Sequence, residues 1–216
     1  MLRQGMLLAG AFGIGLAAAL SLAELGREYR AMPASLQGAP MTLLTLAATG
    51  DRPPASFRAR RGLMEACDTA LRGPYGGMQP QELRDRLATG CAAMAGAILA
   101  RSPTDALAHL VRAEVRLYAG DRAGFAAALA VAQRTAPAEG WIALRRADLA
   151  ASAPDAAGET LAADLALLLG APETLAPLAR LYRRHEALRP LIADLAGMQP
   201  PAMQARFLAY LRSQPR

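Results

Sequence analysis

The stretch at residues 106–138, which reads ALAHLVRAEVRLYAGDRAGFAAALAVAQRTAPA, carries the clearest helical pattern in the chain. Its first half places leucine, valine and alanine three and four residues apart, which is the spacing of one helix face. Gly120 then interrupts the pattern with a residue suited to a helix end. A second apolar face follows, with Phe125, Leu129 and Ala132 at spacings of four and three. The stretch therefore predicts two helices joined by a short turn.

Helix boundaries recur at a nearly constant spacing along the chain. Breaks marked by proline or glycine fall at positions 103, 120, 137, 154, 172 and 190, at intervals of 17, 17, 17, 18 and 18 residues. Most of these prolines are followed by an acidic residue, a pair that suits the first turn of a helix. Two intervals make a unit of 34 or 35 residues, the period of helix–turn–helix repeats. The spacing predicts antiparallel helix pairs that stack on their neighbours.

The composition favours the same fold class. The 216 residues include 52 alanines and 35 leucines, which are strong helix formers, and aromatic residues make up only 5%. The chain has 24 arginines and no lysine or asparagine, and its net charge is +6. A GC-rich genome produces such a bias without selection for polyanions, and few aromatic rings are present to stack on bases. We therefore predict an all-α protein with no nucleic-acid partner.

The residues of 106–138 resemble a tetratricopeptide repeat. Ala113 matches the small residue of the first helix in that family, Gly120 and Asp121 match the turn, and Pro137 matches the closing proline. Leucine and alanine of the second helix, at 129 and 132, also match. The resemblance implies a right-handed α-solenoid of antiparallel helix pairs, a fold that presents extended binding surfaces.

The resemblance has limits, and it covers about half of the chain. Arg112 and Arg116 stand where the family has apolar residues, and Phe125 stands where it has alanine. The unit at 140–172 keeps Ala147 but lacks the glycine of the turn, and the third unit is more degenerate.

The amino-terminal residues 6–23 (MLLAGAFGIGLAAALSLA) carry no charge. About 20 apolar residues cross a bilayer as a helix, so this segment predicts a transmembrane anchor. A cleaved signal peptide is the alternative, with a small-residue cleavage site near Ser21 and Ala23. The anchor is favoured because the run is longer than the apolar region of a typical signal peptide. The flanking charges set the orientation of an anchor poorly, because Arg3 lies on one side and Arg27 and Arg30 lie on the other.

Two cysteines, Cys67 and Cys91, lie on consecutive predicted helices separated by a glycine-rich loop. An even number of cysteines in an exported chain favours a disulfide, since the periplasm is oxidising. Two buried free thiols are the alternative. Metal binding is not predicted, because the sequence has neither a Cys-x-x-Cys motif nor a histidine cluster.

The overall layout is similar to that of small membrane-anchored repeat proteins encoded in bacterial exopolysaccharide and O-antigen gene clusters. The features that carry this resemblance are the anchor, the cysteine hairpin, APAEGWIALRR at 136–146 and QARFL at 204–208. The resemblance implies a single-pass protein of the bacterial inner membrane whose soluble part faces the periplasm.

These observations divide the chain into five predicted regions. They are the anchor and its helical extension at 1–30, a linker with a short helix at 31–53, the cysteine hairpin at 54–102, the repeats at 103–189 and the capping helices at 190–216.

One charged pattern stands out on the predicted repeats. Arg112, Arg146 and Arg180 are 34 residues apart, and Arg116 lies one turn after the first of them. Stacked repeats would align them as an arginine ladder on one exposed face, and the planar guanidinium suits carboxylates and phosphates. The ladder is a candidate binding face for an acidic partner or an anionic polysaccharide. A solvated face of an arginine-rich protein is the alternative.

No catalytic, cofactor-binding or metal-binding residues are predicted. His109 and His185 have no partner pattern, and the chain has no serine-nucleophile elbow or phosphate loop. We therefore expect a non-enzymatic adaptor that holds a protein partner in the inner membrane or periplasm and assists polysaccharide biosynthesis or export. The alternatives are an accessory subunit or assembly factor of another inner-membrane complex and a carboxylate-based carbohydrate-active enzyme.

Overall fold

The structure, a computed structural model, describes residues 14–23, 25–26 and 53–213. Every regular element in these ranges is helical, so the predicted all-α class is confirmed for the described chain. Residues 6–13 of the predicted anchor and most of the predicted linker at 31–53 lie outside the described residues.

The helices are short and closely spaced along the chain. In order they are α1 Ile14–Ala23, α2 Phe57–Arg72, α3 Pro74–Gly77, α4 Gln81–Leu99, α5 Ala106–Tyr118, α6 Arg122–Thr135, α7 Gly140–Ala150, α8 Pro154–Gly170, α9 Leu175–Arg184, α10 Arg189–Gly197 and α11 Pro201–Ser213. Short 3₁₀ turns at Pro172–Thr174 and Glu186–Leu188 precede α9 and α10. The helices from α5 onward begin and end close to the breaks that the sequence predicts.

Among the described residues no single helix is long and apolar enough to cross a membrane. Two consecutive segments, Pro154–Gly170 and Pro172–Arg184, reach the required length and composition together, but they are bent by 106°. The described part of the predicted anchor is the apolar helix α1, whose large side chains Ile14 and Leu20 are exposed.

The chain divides into two compact units, Met1–Gly90 and Cys91–Arg216. In the described part of the first unit, the side chain of Ser56 caps α2 by accepting a 3.1 Å hydrogen bond from the amide of Ala59. Such a cap satisfies an amide that has no partner within the helix. Leu87 of α4 packs in a small apolar cluster with Ala70 of α2.

Helix pairs organise the second unit. Helix α5 packs along α6, and α7 packs along α8. Helix α7 also contacts α5 and α9, while α8 contacts α6 and α10. The last helix, α11, packs mainly on α9, where the rings of Tyr182 and Phe207 meet edge to face with centroids 6.2 Å apart.

The turn between α5 and α6 forms as the sequence predicts. Gly120 adopts φ +75°, a left-handed conformation that favours glycine. Asp121 then caps α6 by accepting a 2.8 Å hydrogen bond from the amide of Gly124. Asp105 caps α5 in the same way, at 2.9 Å from the amide of Ala108. Local residue chemistry is therefore sufficient to place the start of α5 and the turn between α5 and α6.

Helix α8 is interrupted inside its first two turns. Gly158 adopts φ +44° and ψ −122°, so the segment beginning at Pro154 is separated from the regular part of α8 by a kink. The regular part buries Leu161, Leu165 and Leu168 at 2% exposure or less. It also carries a buried acid, Asp164, in the middle of that apolar face.

Candidate functional site

A buried arginine occupies the centre of the second unit. Arg146 lies on α7 and has 0% of its surface exposed, and Asp164 on α8 is 1% exposed. Taking charges out of water is costly unless they are paired and hydrogen-bonded. The hydrogen bonds made by this pair therefore have to offset the cost of burying both charges between α7 and α8.

All five N–H donors of the Arg146 guanidinium are used. Nε donates to Oδ2 of Asp164 at 2.8 Å, and Nη2 donates to Oδ1 at 2.6 Å. Nη1 donates to the carbonyl oxygens of Ala132 and Ala136, both at 3.2 Å, and Nη2 also reaches Ala136 at 3.2 Å. The parallel pair of bonds to the carboxylate is the geometry that only arginine can supply.

The two carbonyls belong to the end of α6, so Arg146 caps one helix while pairing with another. The last carbonyls of a helix have no partner within it, and a cation placed there also complements the helix dipole. Ala136 is the C-cap residue that directly follows α6, and it is 3% exposed. One side chain therefore joins α6, α7 and α8.

Burial changes the protonation of Asp164. Desolvation raises the pKa of this carboxyl above its usual value of 3.8, although the hydrogen bond and the charge of Arg146 act in the opposite direction. The ion pair is thus formed in surroundings that disfavour the charged carboxylate.

The burial of Arg146 corrects one sequence prediction. Arg146 does not lie on an exposed face between Arg112 and Arg180, because it points into the core between α6 and α8. Arg112, Arg116 and Arg180 are exposed. A continuous arginine ladder therefore does not exist, while the binding role of the three exposed arginines stays a prediction.

The exposed arginines differ in their contacts. Nη1 of Arg116 lies 3.1 Å from Oδ2 of Asp121 in an exposed ion pair of the kind that contributes little stability. The side chains of Arg112 and Arg180 make no hydrogen bond or ion pair with any other residue that the structure describes. These two guanidinium groups are therefore available to an external group.

A second polar cluster joins the ends of α7 and α9. Nε2 of His185 lies 2.7 Å from Oδ1 of Asp148, and Nη1 of Arg184 lies 3.1 Å from the same oxygen. Arg184 and His185 follow Asp148 by 36 and 37 positions, about one repeat unit. His185 and Asp148 are partly buried, whereas the side chain of Arg184 is 62% exposed.

The same helix α7 carries the single tryptophan of the chain. Trp141 is 38% exposed, and its Nε1 donates a 3.0 Å hydrogen bond to Oε2 of Glu139. Trp141, Leu144, Arg145 and Asp148 follow each other at spacings of three, one and three, so they share one helix face. Trp141 is exposed and the other three are partly buried. We call these four residues the α7 face.

The two cysteines form a disulfide, as the sequence predicts. Cys67 lies on α2, Cys91 lies on α4, and both are disulfide-bonded and fully buried. Thiol chemistry at these positions is therefore not available in the folded, oxidised chain.

Neither histidine lies in a group that could hold a metal ion. Within the described ranges no three His, Cys, Asp or Glu residues gather in the way that metal ligands do. Nε2 of His109 lies 2.8 Å from the carbonyl oxygen of Pro103, next to the start of α5. His185 contacts Asp148, as described above.

Two features of the sequence mark the buried pair as unusual, although neither places it in the core. Arg146 lies among apolar residues of its helix, three positions after Ala143 and next to Ala147. Asp164 interrupts the apolar run LAADLALLLG at 161–170. A charge at an otherwise apolar position is seldom buried without an opposite charge.

Comparison with known proteins gives no relative. No family model matches the chain, and neither a curated protein nor a solved structure is significantly similar to it. In its described residues the chain is an all-helical protein of two compact units.

Proposed function

We propose that the chain is a non-enzymatic, membrane-anchored helical-repeat adaptor whose helix pairs stack as a right-handed α-solenoid. The observation that carries the proposal is the pattern of helix contacts in the second unit. In a solenoid the first helices of successive repeats contact one another, and so do the second helices.

The contacts fit two such layers. Helix α7 contacts α5 on one side and α9 on the other, which is expected of three successive first helices. Helix α8 contacts α6 and α10, which is expected of three second helices. Packing of α11 on α9 would extend the first layer by one more helix.

Two surfaces of the first layer are candidates for partner binding. One is the α7 face, where an exposed tryptophan and a partly buried arginine lie together on one side of the helix. Tryptophan and arginine are enriched among the residues that dominate binding energy at protein interfaces. The other consists of the exposed arginines of α5 and α9, namely Arg112, Arg116 and Arg180. We propose that they attract an acidic protein partner or an anionic polysaccharide.

The proposed location is the bacterial inner membrane, with the folded part in the periplasm. The uncharged residues 6–23 support an anchor by their length and composition. The disulfide supports an oxidising compartment, because disulfides are rare in the bacterial cytosol. We propose that the partner belongs to the machinery of polysaccharide biosynthesis or export; another inner-membrane complex is the second candidate.

Affinity capture of the full-length chain from detergent-solubilised membranes tests the proposal. Wild type is compared with Trp141→Ala and with the triple variant Arg112→Gln, Arg116→Gln and Arg180→Gln. A matched triple variant changes three exposed arginines whose side chains have no partner among the described residues, Arg101, Arg122 and Arg134. Both triple variants remove the same charge.

We expect the same partner to be captured by wild type and by the matched triple variant. If the partner is lost only with the changes at Arg112, Arg116 and Arg180, the exposed arginines bind it. If it is lost only with Trp141→Ala, the α7 face binds it. Capture that is equal for all four proteins contradicts the assignment of the surfaces. Turnover of a sugar substrate by the purified chain, abolished by a single carboxylate change, contradicts the adaptor role itself.

A further inference from the structure

The last helix and the turn before α9 form an open cavity of about 320 Å³. Its lining consists of Pro172, Arg206, Ala209, Tyr210 and Ser213, and it is mostly apolar. Pockets for small molecules have volumes of roughly 300–1,000 Å³ and combine apolar walls with a few polar groups. The cavity lies at the lower end of that range.

Helix α11 supplies the polar groups from a single face. Arg206, Tyr210 and Ser213 lie four and three residues apart, so their side chains project on the same side of the helix. Arg206 is exposed, and its side chain makes no hydrogen bond or ion pair with another described residue. Tyr210 is 37% exposed, and Ser213 Oγ donates only a long, 3.5 Å hydrogen bond, to the carbonyl of Tyr210.

We propose that this cavity binds a small carboxylate carried on a ring. The guanidinium of Arg206 takes the carboxylate, since its planar fork matches the two carboxylate oxygens. The rings of Tyr210 and Pro172 hold the apolar face of the ligand ring, and the hydroxyl of Ser213 can donate to a ring substituent.

The lining explains the sign of the ligand charge and the need for a ring. Among the lining residues that the structure describes, Arg206 is charged and none is acidic, which favours an anion over a cation. The ring side chains of Pro172 and Tyr210 have few rotatable bonds, so they lose little rotamer entropy when they bury a ligand ring. The site requires neither a protein partner on the α7 face nor the adaptor role.

Ligand-detected NMR and calorimetric titration of the full-length chain test the proposal. The probes are glucuronate, a sugar acid, and benzoate, an aromatic acid, each with a neutral isostere, glucose and benzamide. The detergent has a polyoxyethylene head group, because a sugar head group would compete with the first probe. Variants are Arg206→Gln and its control Arg212→Gln, an exposed arginine of the same helix with no described partner.

We expect at least one acid to bind with millimolar affinity and its neutral isostere to bind much more weakly. Arg206→Gln should weaken binding about tenfold, the typical contribution of a charge-assisted hydrogen bond, while Arg212→Gln should leave it within about twofold. The acid that binds more tightly shows whether the cavity prefers a sugar acid or an aromatic acid. Tyr210→Leu, which keeps an apolar side chain, should weaken binding through loss of the flat ring.

Three outcomes would overturn the proposal. They are the absence of saturable binding for both acids, equal binding of acids and neutral isosteres, and equal effects of Arg206→Gln and Arg212→Gln. Circular dichroism of each variant confirms that a loss of binding does not reflect unfolding.

Discussion

Arg112 on α5 and Arg146 on α7 are 34 residues apart on helices that contact each other, yet their surroundings are opposite. Arg112 is exposed and has no partner among the described residues. Arg146 is fully buried and donates hydrogen bonds to a carboxylate and to two backbone carbonyls. The local sequence around both is helical, alanine-rich and similar in pattern.

The difference lies in what packs around each helix. Helix α7 lies among α5, α6, α8 and α9, and the end of α6 offers carbonyl oxygens to Arg146 while α8 offers a carboxylate. The 34-residue spacing therefore does not predict whether an arginine is exposed, because the neighbouring helices differ.

The largest effect is expected from removing the buried guanidinium. Arg146→Met should destabilise the fold by about 3–5 kcal/mol, because it leaves the carboxylate of Asp164 buried without a cation. Arg112→Met, the same change one repeat earlier, should alter the free energy of unfolding by less than about 0.5 kcal/mol. Urea denaturation followed by circular dichroism measures both.

A double variant sharpens this result. Arg146→Met combined with Asp164→Leu removes both charges and should recover most of the lost stability, since apolar residues of similar volume often replace a buried ion pair well. Equal, small effects at positions 112 and 146 would show that Arg146 is not buried as described.

The disulfide provides a second buried constraint for comparison with the ion pair. Replacing both Cys67 and Cys91 by serine should lower the stability by about 3 kcal/mol, the contribution expected for closing a loop of this length. Thiol labelling of the native, unreduced chain checks the bond directly. Full modification of both cysteines before reduction would contradict the pairing.

A smaller effect is expected at the kink of the helix that carries Asp164. Gly158 has φ +44°, which an L side chain adopts only with strain, so Gly158→Ala should cost about 1–2 kcal/mol. Gly170, at the other end of α8, has open space around an added Cβ and no positive φ. Gly170→Ala is the matched control and should be neutral or stabilising in thermal melts.

The smallest expected effect is a change of the free energy of unfolding with pH. Burial raises the pKa of Asp164 above 3.8, so the folded state binds more protons than the unfolded state. The contribution of this carboxyl to stability is therefore fully present below its unfolded pKa and is lost as the pH rises through its folded pKa. Relative to Asp164→Asn, wild type should become less stable from about pH 4 towards neutral pH.

Urea titrations of both proteins at several pH values measure this difference. Asp155→Asn, a change at an exposed acid near the start of the same helix, controls for the loss of one negative charge. If wild type instead becomes more stable relative to Asp164→Asn as the pH rises, Arg146 lowers the pKa of Asp164 more than burial raises it.

Much of the fold could be predicted from local features of the sequence. Prolines, Gly120 and Asp121 mark the ends of helices because they act on the backbone within one turn of their own position. The pairing of Cys67 with Cys91 was predictable for a different reason, since the chain has only two cysteines.

Local sequence is therefore enough to assign the helical class and most helix boundaries of the second unit, and it favours a disulfide over two free thiols. The burial of Arg146, its capping of α6 and the contact of His185 with Asp148, 37 residues away, follow only from the packing of the helices. The two sets of features differ because they depend on different distances along the chain. A helix boundary depends on its own few residues, whereas the burial of a side chain depends on which distant helices pack against its face.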